Sequence, residues 1–474
     1  MKNLPNILFI LVILLFSNHS ASQSIDKKFV TGSWIGKIAT GPLTMRIVFN
    51  LSIVERDSLV ATLDSPDQGV KNIKLGPVTF DGSKIKISAG AMLAEYNGII
   101  RNDTLIEGTW TQAGTSMVLN ITKLKKEFAI IRPQEPKPPV PYTKEDVTFT
   151  NDKFNIKLSG TLTIPKGEGP FPAVIMITGS GPQNRNEELL GHKPFLIIAD
   201  YLTRCGIAVL RYDDRGFGKS QGNYMAATSA DFATDAEAAF NFLKNNSKID
   251  KKTIGLIGHS EGGLIAPIVA SENKEIGFLV SLAGPGVTGE EIILRQSEDI
   301  SRASGISDDQ IQVANSTNKK LYSVLMTEPD NRKAEEKILD VYKKTLNEQN
   351  TSPEETEKLI SQLKMTFNSG MYTWFRYFLM TDPTVFWSKV KCPVLALNGE
   401  KDLQVATDVN LPAIKKALNS GGNINVKTIS FPELNHLFQH SKNGSPSEYG
   451  EIEETFSPEV LKIIADWILG LTIN

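Results

Sequence analysis

The chain has 474 residues, a length that suggests two or three domains. Its 41% apolar and 22% charged content allow a substantial buried core of ordinary globular type. A net charge of −2, or −3 once Lys2 leaves with a cleaved leader, takes nucleic acid and anionic membrane surfaces off the expected partners.

Residues 1–22 read as a secretory signal. Lys2 gives a positive start, Ile7 to Phe16 is an unbroken apolar run, and Ser20 and Ser22 are small residues suited to cleavage before Gln23. The run is short for a membrane span of about 20 residues. Cleavage is therefore favoured over an anchor, and a secreted or periplasmic location is expected. No cysteine near the cleavage point suggests a lipid anchor, and no later segment is apolar and long enough to span a bilayer.

From 29 to 125 the pattern is β. Short runs recur at 33–38, 44–53, 58–63, 73–80, 84–87, 95–100, 104–110 and 116–121, with turn signals such as Asp81-Gly82 and Asn97-Gly98 among them. Strands this short and regular predict a small all-β barrel or sandwich. Trp34 and Trp110 are placed to share its core. No catalytic grouping stands out, so this domain is expected to scaffold or to contact something the sequence does not name. Residues 126–143 form a Pro-rich linker, with five prolines between Arg132 and Pro141 favouring extended polyproline geometry.

From 144 to 474 apolar strands alternate with helices, which predicts a mainly parallel sheet covered on both faces. An insertion at about 285–390 interrupts the alternation as a helical cap. It ends in Met371-Tyr-Thr-Trp-Phe-Arg-Tyr-Phe-Leu-Met380. Aromatics this dense form core or, where some of Tyr372, Trp374, Phe375, Tyr377 and Phe378 face a cleft, shape an acyl pocket. The two cysteines, Cys205 and Cys392, read as isolated buried thiols, and no Cys/His spacing suggests zinc.

The chemistry concentrates at Gly258-His-Ser-Glu-Gly262. An apolar strand pattern (254–257) precedes it and an Ala/Ile/Val-rich helix pattern follows. That context is a nucleophile elbow: small residues let strand and helix approach closely, the Ser260 hydroxyl is exposed, and the Glu261 backbone N–H points where an oxyanion forms. A serine hydroxyl needs a base. Histidine suits by its ordinary pKa, and the chain beyond the leader offers His192, His259, His436 and His440. His259 adjoins the nucleophile on a turn where neighbouring side chains diverge. His436, on a loop after the last sheet strand, is the preferred base. The acid that fixes its tautomer is assigned to Asp402, which follows a buried strand through a Gly-containing turn; Glu400 and Asp408 are the competitors.

The order Ser260, Asp402, His436 is that of the α/β-hydrolases. Residues 145–470 resemble that superfamily, most closely the bacterial esterases and acyl hydrolases of the prolyl oligopeptidase-like group. The matching segments are Ile177-Thr-Gly-Ser-Gly-Pro182, Arg211-Tyr-Asp-Asp-Arg-Gly-Phe-Gly218, Gly258-His-Ser-Glu-Gly-Gly263, Asn398-Gly-Glu-Lys-Asp402 and Asn435-His436. The resemblance implies a second oxyanion donor in the loop after 173–178, here assigned to the Ser180 amide with Gly181 close behind. The family's frequent histidine there is replaced by Thr178. Asp214 and Arg215 are read as a pair bracing the glycine turn that follows them, and no P-loop signature follows the 179–182 turn.

The expected function is a serine carboxylesterase of the EC 3.1.1 class, acting on a small-molecule ester with no metal or organic cofactor. Two rivals stand beside it: a peptidase on the same triad, and a binding protein working through its β-domain. Oligomeric state and acyl and alcohol specificity are not legible.

Overall fold

The computed structural model describes residues 26–40, 43–54, 58–68, 70–112, 114–126, 131–367 and 372–472. The signal at 1–22 lies outside them. The chain divides into two compact units that separate between Phe128 and Ala129, with short stretches at 39–45 and 65–70 counted with the second.

In the first unit a helical turn, α1 (Lys27–Val30), precedes an antiparallel sheet of ten strands. These are β1 (Gly32–Thr40), β2 (Leu43–Val54), β3 (Ser58–Ser65), β4 (Val70–Lys74), β5 (Val78–Phe80), β6 (Lys84–Ala89), β7 (Ala94–Ile100), β8 (Leu105–Gln112), β9 (Thr115–Val118) and β10 (Ile121–Lys123). The order β4-β3-β2-β1-β10-β8-β7-β6-β5 leaves β4 and β5 at the two ends, so the sheet curls without closing. Alternation puts one face inward: Trp34, Phe49, Ile87, Tyr96 and Trp110 share one apolar core. Two of the expected strands are each divided. Pro77 lacks an N–H and ends one run; in the other, the Asn120 side chain takes the Gly108 N–H between β9 and β10. Gly98 and Gly108 face each other across β7 and β8, and a Cβ on either would meet the Tyr96 ring. The tyrosine lies over the pair and fills the space their missing side chains leave.

The second unit carries a mixed sheet of eight strands: β11 (Thr143–Asn151), β12 (Ile156–Ile164), β13 (Phe171–Ile177), β14 (Ala208–Tyr212), β15 (Ile249–His259), β16 (Phe278–Leu282), β17 (Val394–Gly399) and β18 (Val426–Phe431). The order is β11-β12-β14-β13-β15-β16-β17-β18, antiparallel at β11/β12/β14 and parallel from there on. Strands β13 to β17 are buried almost throughout, the signature of a sheet sandwiched on both faces. α3 (Ser229–Lys244), α4 (Gly262–Glu272) and α11 (Thr407–Ser420) pack into one apolar cluster, and α2 (Pro194–Arg204) and α12 (Pro458–Thr472) into the other. α3 starts with a capping box, Thr228 with Asp231.

Between β16 and β17 runs the cap: α5 (Gly289–Ala303), α6 (Asp308–Thr327), α7 (Asn331–Glu348), α8 (Pro353–Phe367), α9 (Tyr372–Met380) and α10 (Thr384–Trp387). Thr288 with Glu291 and Ser307 with Gln310 form capping boxes for α5 and α6. The described part of the Pro-rich stretch is held to the second unit. Arg132 donates to the carbonyls of Leu190, Gly450 and Ile452, and Gln134 to that of Phe456. Among the described residues no helix is long and apolar enough to cross a membrane.

Candidate active site

The turn after β15 holds Ser260 at φ 54°, the left-handed region that L-residues avoid. Ser260 N donates to Leu282 O at 2.9 Å, and Gly263 N to Ser260 O at 2.8 Å, which fixes the turn against β16 and α4. The glycines are steric requirements: a Cβ on Gly258 would lie 2.0 Å from Gly262 O, and one on Gly262 would lie 2.2 Å from Ile177 O. Both obstacles are backbone. Gly258→Ala is therefore expected to destabilise the fold by about 2 kcal/mol or more, at or above the usual cost of overpacking. A lowered urea midpoint checks it.

The residues expected as base and acid lie beyond the ends of β17 and β18. Asp402 sits in the turn after β17, and its Oδ1 accepts from the amides of Gln404 at 2.7 Å and Val405 at 2.9 Å. Oδ2 accepts from His436 Nδ1 at 2.8 Å, and both side chains are buried. His436 lies on the loop after β18 and lines, with Ser260, a cavity of about 460 Å³. The competitors are engaged elsewhere: Glu400 accepts from Ser430 Oγ, and Asp408 pairs with Arg295. Among the other histidines, His440 is exposed and pairs with Glu454. His192 is buried against Thr455 and the Tyr449 carbonyl.

The loop after β13 supplies amides to the same cavity. Gly179 N donates to Glu187 Oε1 at 2.7 Å and Gly181 N to the Tyr224 hydroxyl at 2.8 Å. Among the described hydrogen bonds the Ser180 and Glu261 amides have no acceptor, so both are available to a developing oxyanion.

The Glu261 side chain is buried beneath the elbow. Its Oε1 accepts from Ser229 Oγ at 2.6 Å and Trp374 Nε1 at 2.8 Å. Burial is the largest influence on this carboxyl and, against those two donors and the Ser180 hydroxyl, pushes its pKa up. Of the five cap aromatics, Trp374 and Phe378 line the cavity, with Ile292 and Ile293 of α5. Tyr372 and Phe375 pack among the cap helices beside Leu325 and Ile338. Tyr377 lies off the cavity, on a helix turn whose carbonyl takes the Thr381 hydroxyl.

The Asp214–Arg215 pairing is not formed. Arg215 donates to Asp235 at 2.7 Å on α3. Asp214 accepts instead from Thr178 Oγ1 at 2.6 Å and Gln183 N at 2.8 Å, so it braces the loop after β13. The paired groups diverge because the tight turn after β14 sends successive side chains to different elements. The sequence reading also missed Glu187, Ser229 and Tyr224. None sits in a motif, and apart from the Glu187 contact with Gly179 their roles arise from contacts across tens of residues. Among the described residues no group of three or more His, Cys, Asp or Glu could hold a metal ion. Both cysteines are free thiols, and neither lines the cavity.

Residues 194–346 match the family described as Hydrolase_4: Serine aminopeptidase, S33. The chain is 29% identical over 339 residues to Esterase EstD of Thermotoga maritima, covering 70% of this chain and 68% of that protein. It is 30% identical over 145 residues to Thiohydrolase aneE of Aspergillus aculeatus, covering 29% of this chain and 42% of that one. Among solved structures, Est1E from Butyrivibrio proteoclasticus with ferulic acid is similar at 17% identity and a TM-score of 0.41, over 69% of this chain and 100% of that chain.

Proposed function

We propose that the chain, similar to the α/β-hydrolases in its fold and in its matched segment, is a serine carboxylesterase working through an acyl-enzyme on Ser260, His436 and Asp402. The observation that carries the reading is that His436, bound through Nδ1 to Asp402 at 2.8 Å, lines the same cavity as Ser260 on its left-handed turn.

In this reading Asp402 holds the tautomer with Nδ1 protonated and leaves Nε2 to accept the Ser260 proton. Ser260 Oγ bonds to the ester carbonyl carbon as its proton passes to His436. The carbonyl oxygen becomes an oxyanion facing the amides of Ser180 and Glu261, each worth a few kcal/mol of barrier. The tetrahedral species then breaks its bond to the alcohol oxygen, which leaves with the proton from His436. Water repeats the sequence on the acyl-enzyme, its proton going to His436 and then to Ser260 Oγ, and the carboxylic acid departs. Trp374, Phe378, Ile292 and Ile293 give the cavity an apolar wall suited to an acyl chain. The signal-like pattern at 1–22 supports a secreted or periplasmic site of action.

The family description favours a second reading, an aminopeptidase on the same triad. The two separate on one comparison. Purified protein is expected to take a fluorophosphonate label at Ser260 and to turn over p-nitrophenyl butyrate at least about 100-fold faster, by kcat/KM, than an aminoacyl p-nitroanilide. The reverse ranking would replace the esterase with the peptidase, and absence of any label would remove the serine hydrolase altogether.

A further inference from the structure

Both ring nitrogens of His259 face acceptor oxygens, one a backbone carbonyl and the other the carboxylate oxygen of an ionised Glu187. Nδ1 lies 3.0 Å from Glu187 Oε1, and Nε2 lies 2.9 Å from the backbone oxygen of His436. A neutral imidazole has a single N–H. It would satisfy one partner and set a lone pair against the other, and the ring is buried, where such a mismatch is costly. A ring carrying both protons satisfies the two together. The same Glu187 oxygen also accepts from Gly179 N at 2.7 Å, one residue before the oxyanion donor Ser180. Glu187 itself is buried and held at φ 52°. A continuous chain results: the oxyanion-loop amide, Glu187, His259 on the elbow, and the carbonyl of the base.

We propose that His259 is a positioning residue: as an imidazolium it donates at once to Glu187 and to the His436 carbonyl, and so locks the oxyanion loop and the base loop to the elbow that carries Ser260. The inference rests on the reading of Ser260, Asp402 and His436 as the triad. His259 acts through His436 and Glu187, and it takes no proton from Ser260.

The charged and titratable groups facing the ring are Glu187 from the loop before α2, the His436 ring at 4.8 Å between centroids, and Asp402 from the turn after β17. Burial, the largest influence, disfavours the charged ring. The Glu187 carboxylate, the His436 carbonyl and the Asp402 charge outweigh it, and the pKa of His259 ends above its ordinary value. A raised histidine pKa means that the bridge is complete at low pH and is lost as pH climbs through the raised value. The kcat/KM profile should therefore carry an alkaline limb that belongs to His259.

The experiment is a set of pH–rate profiles on p-nitrophenyl butyrate for the wild-type chain, Glu187→Gln and His259→Gln. Glu187→Gln is expected to move the alkaline limb to lower pH by about one unit, since it removes the partner charge that holds the proton. His259→Gln is expected to abolish the limb and to lower kcat by about 10- to 100-fold with KM changed less than about threefold, the signature of misplaced catalytic groups. Limbs unmoved in both variants, with Ser260 still labelled by a fluorophosphonate, overturn the inference and leave the esterase reading standing. An unlabelled wild-type chain overturns the reading, and the inference with it. Independently of whether these variants fold, a ¹⁵N titration of histidine-labelled Ser260→Ala protein should show one ring that keeps both N–H protons to higher pH than an ordinary histidine of pKa about 6.5. A titration in which no ring holds its second proton beyond that ordinary range overturns the proposal.

Discussion

Ser260→Ala is expected to cut hydrolysis of p-nitrophenyl butyrate by at least about 10⁴-fold in kcat, with KM close to wild type. The methyl side chain keeps the turn, because its two backbone hydrogen bonds, to Leu282 and from Gly263, do not use the hydroxyl. The left-handed φ of 54° is no harder for alanine than for serine. An unchanged urea midpoint should therefore accompany the loss, which separates chemistry from folding. The residual rate would report the oxyanion amides and binding alone. A variant that keeps a tenth of wild-type turnover would show that Ser260 is not the nucleophile.

Asp402→Asn is expected to cost about 10⁴-fold in kcat near neutral pH. Oδ1 already accepts two backbone amides, from Gln404 and Val405, so the amide oxygen of asparagine would take that position. Its NH₂ then replaces Oδ2 opposite His436 Nδ1. A donor there forces Nδ1 to accept and moves the ring proton to Nε2, the nitrogen that must receive the serine proton. Geometry is kept and the tautomer is wrong. Kinetics at pH 7 beside a thermal melt test this, and a loss under about tenfold would remove Asp402 from the triad.

The parts of the site legible in the sequence were those carried by local pattern. An apolar strand running into Gly-His-Ser-Glu-Gly and then a helix specifies the elbow, because only small residues survive where Gly258 and Gly262 meet backbone at about 2 Å. The ends of β17 and β18 are readable from buried runs followed by a glycine turn or a loop, which brings Asp402 and His436 forward as candidates, and the contact between them is formed. What escaped was contact over long separation. Arg215 has Asp214 as its chain neighbour and Asp235 as its partner, since the turn direction decides pairing and adjacency does not. His259 diverges from Ser260, and that divergence carries it to Glu187, a residue with no motif around it. The cap aromatics are ambiguous for a similar reason: helical spacing puts Tyr377 at i+3 and Phe378 at i+4 on the Trp374 side alike, and only the packing decides that Trp374 and Phe378 line the cavity. In the first unit, alternation gave the strands and the shared tryptophan core, while whether the sheet closed depended on pairing between β4 and β5 that no local pattern encodes.

The hydrogen bond from the Trp374 indole to Glu261 has a consequence for how this enzyme scaffold can diversify. The helices over the cavity are an excursion between two strands that pair directly, so a different roof could be grafted there without shifting the register of the sheet. Any replacement, however, inherits an obligation at position 261. It must bring its own donor to that carboxyl or be accompanied by an apolar residue in its place, because a buried acid beneath Ser260 that loses one of the two donors on its Oε1 pays for the lost hydrogen bond. Roof and elbow are therefore expected to change together, and chimaeras that exchange one without the other should be the ones that fail.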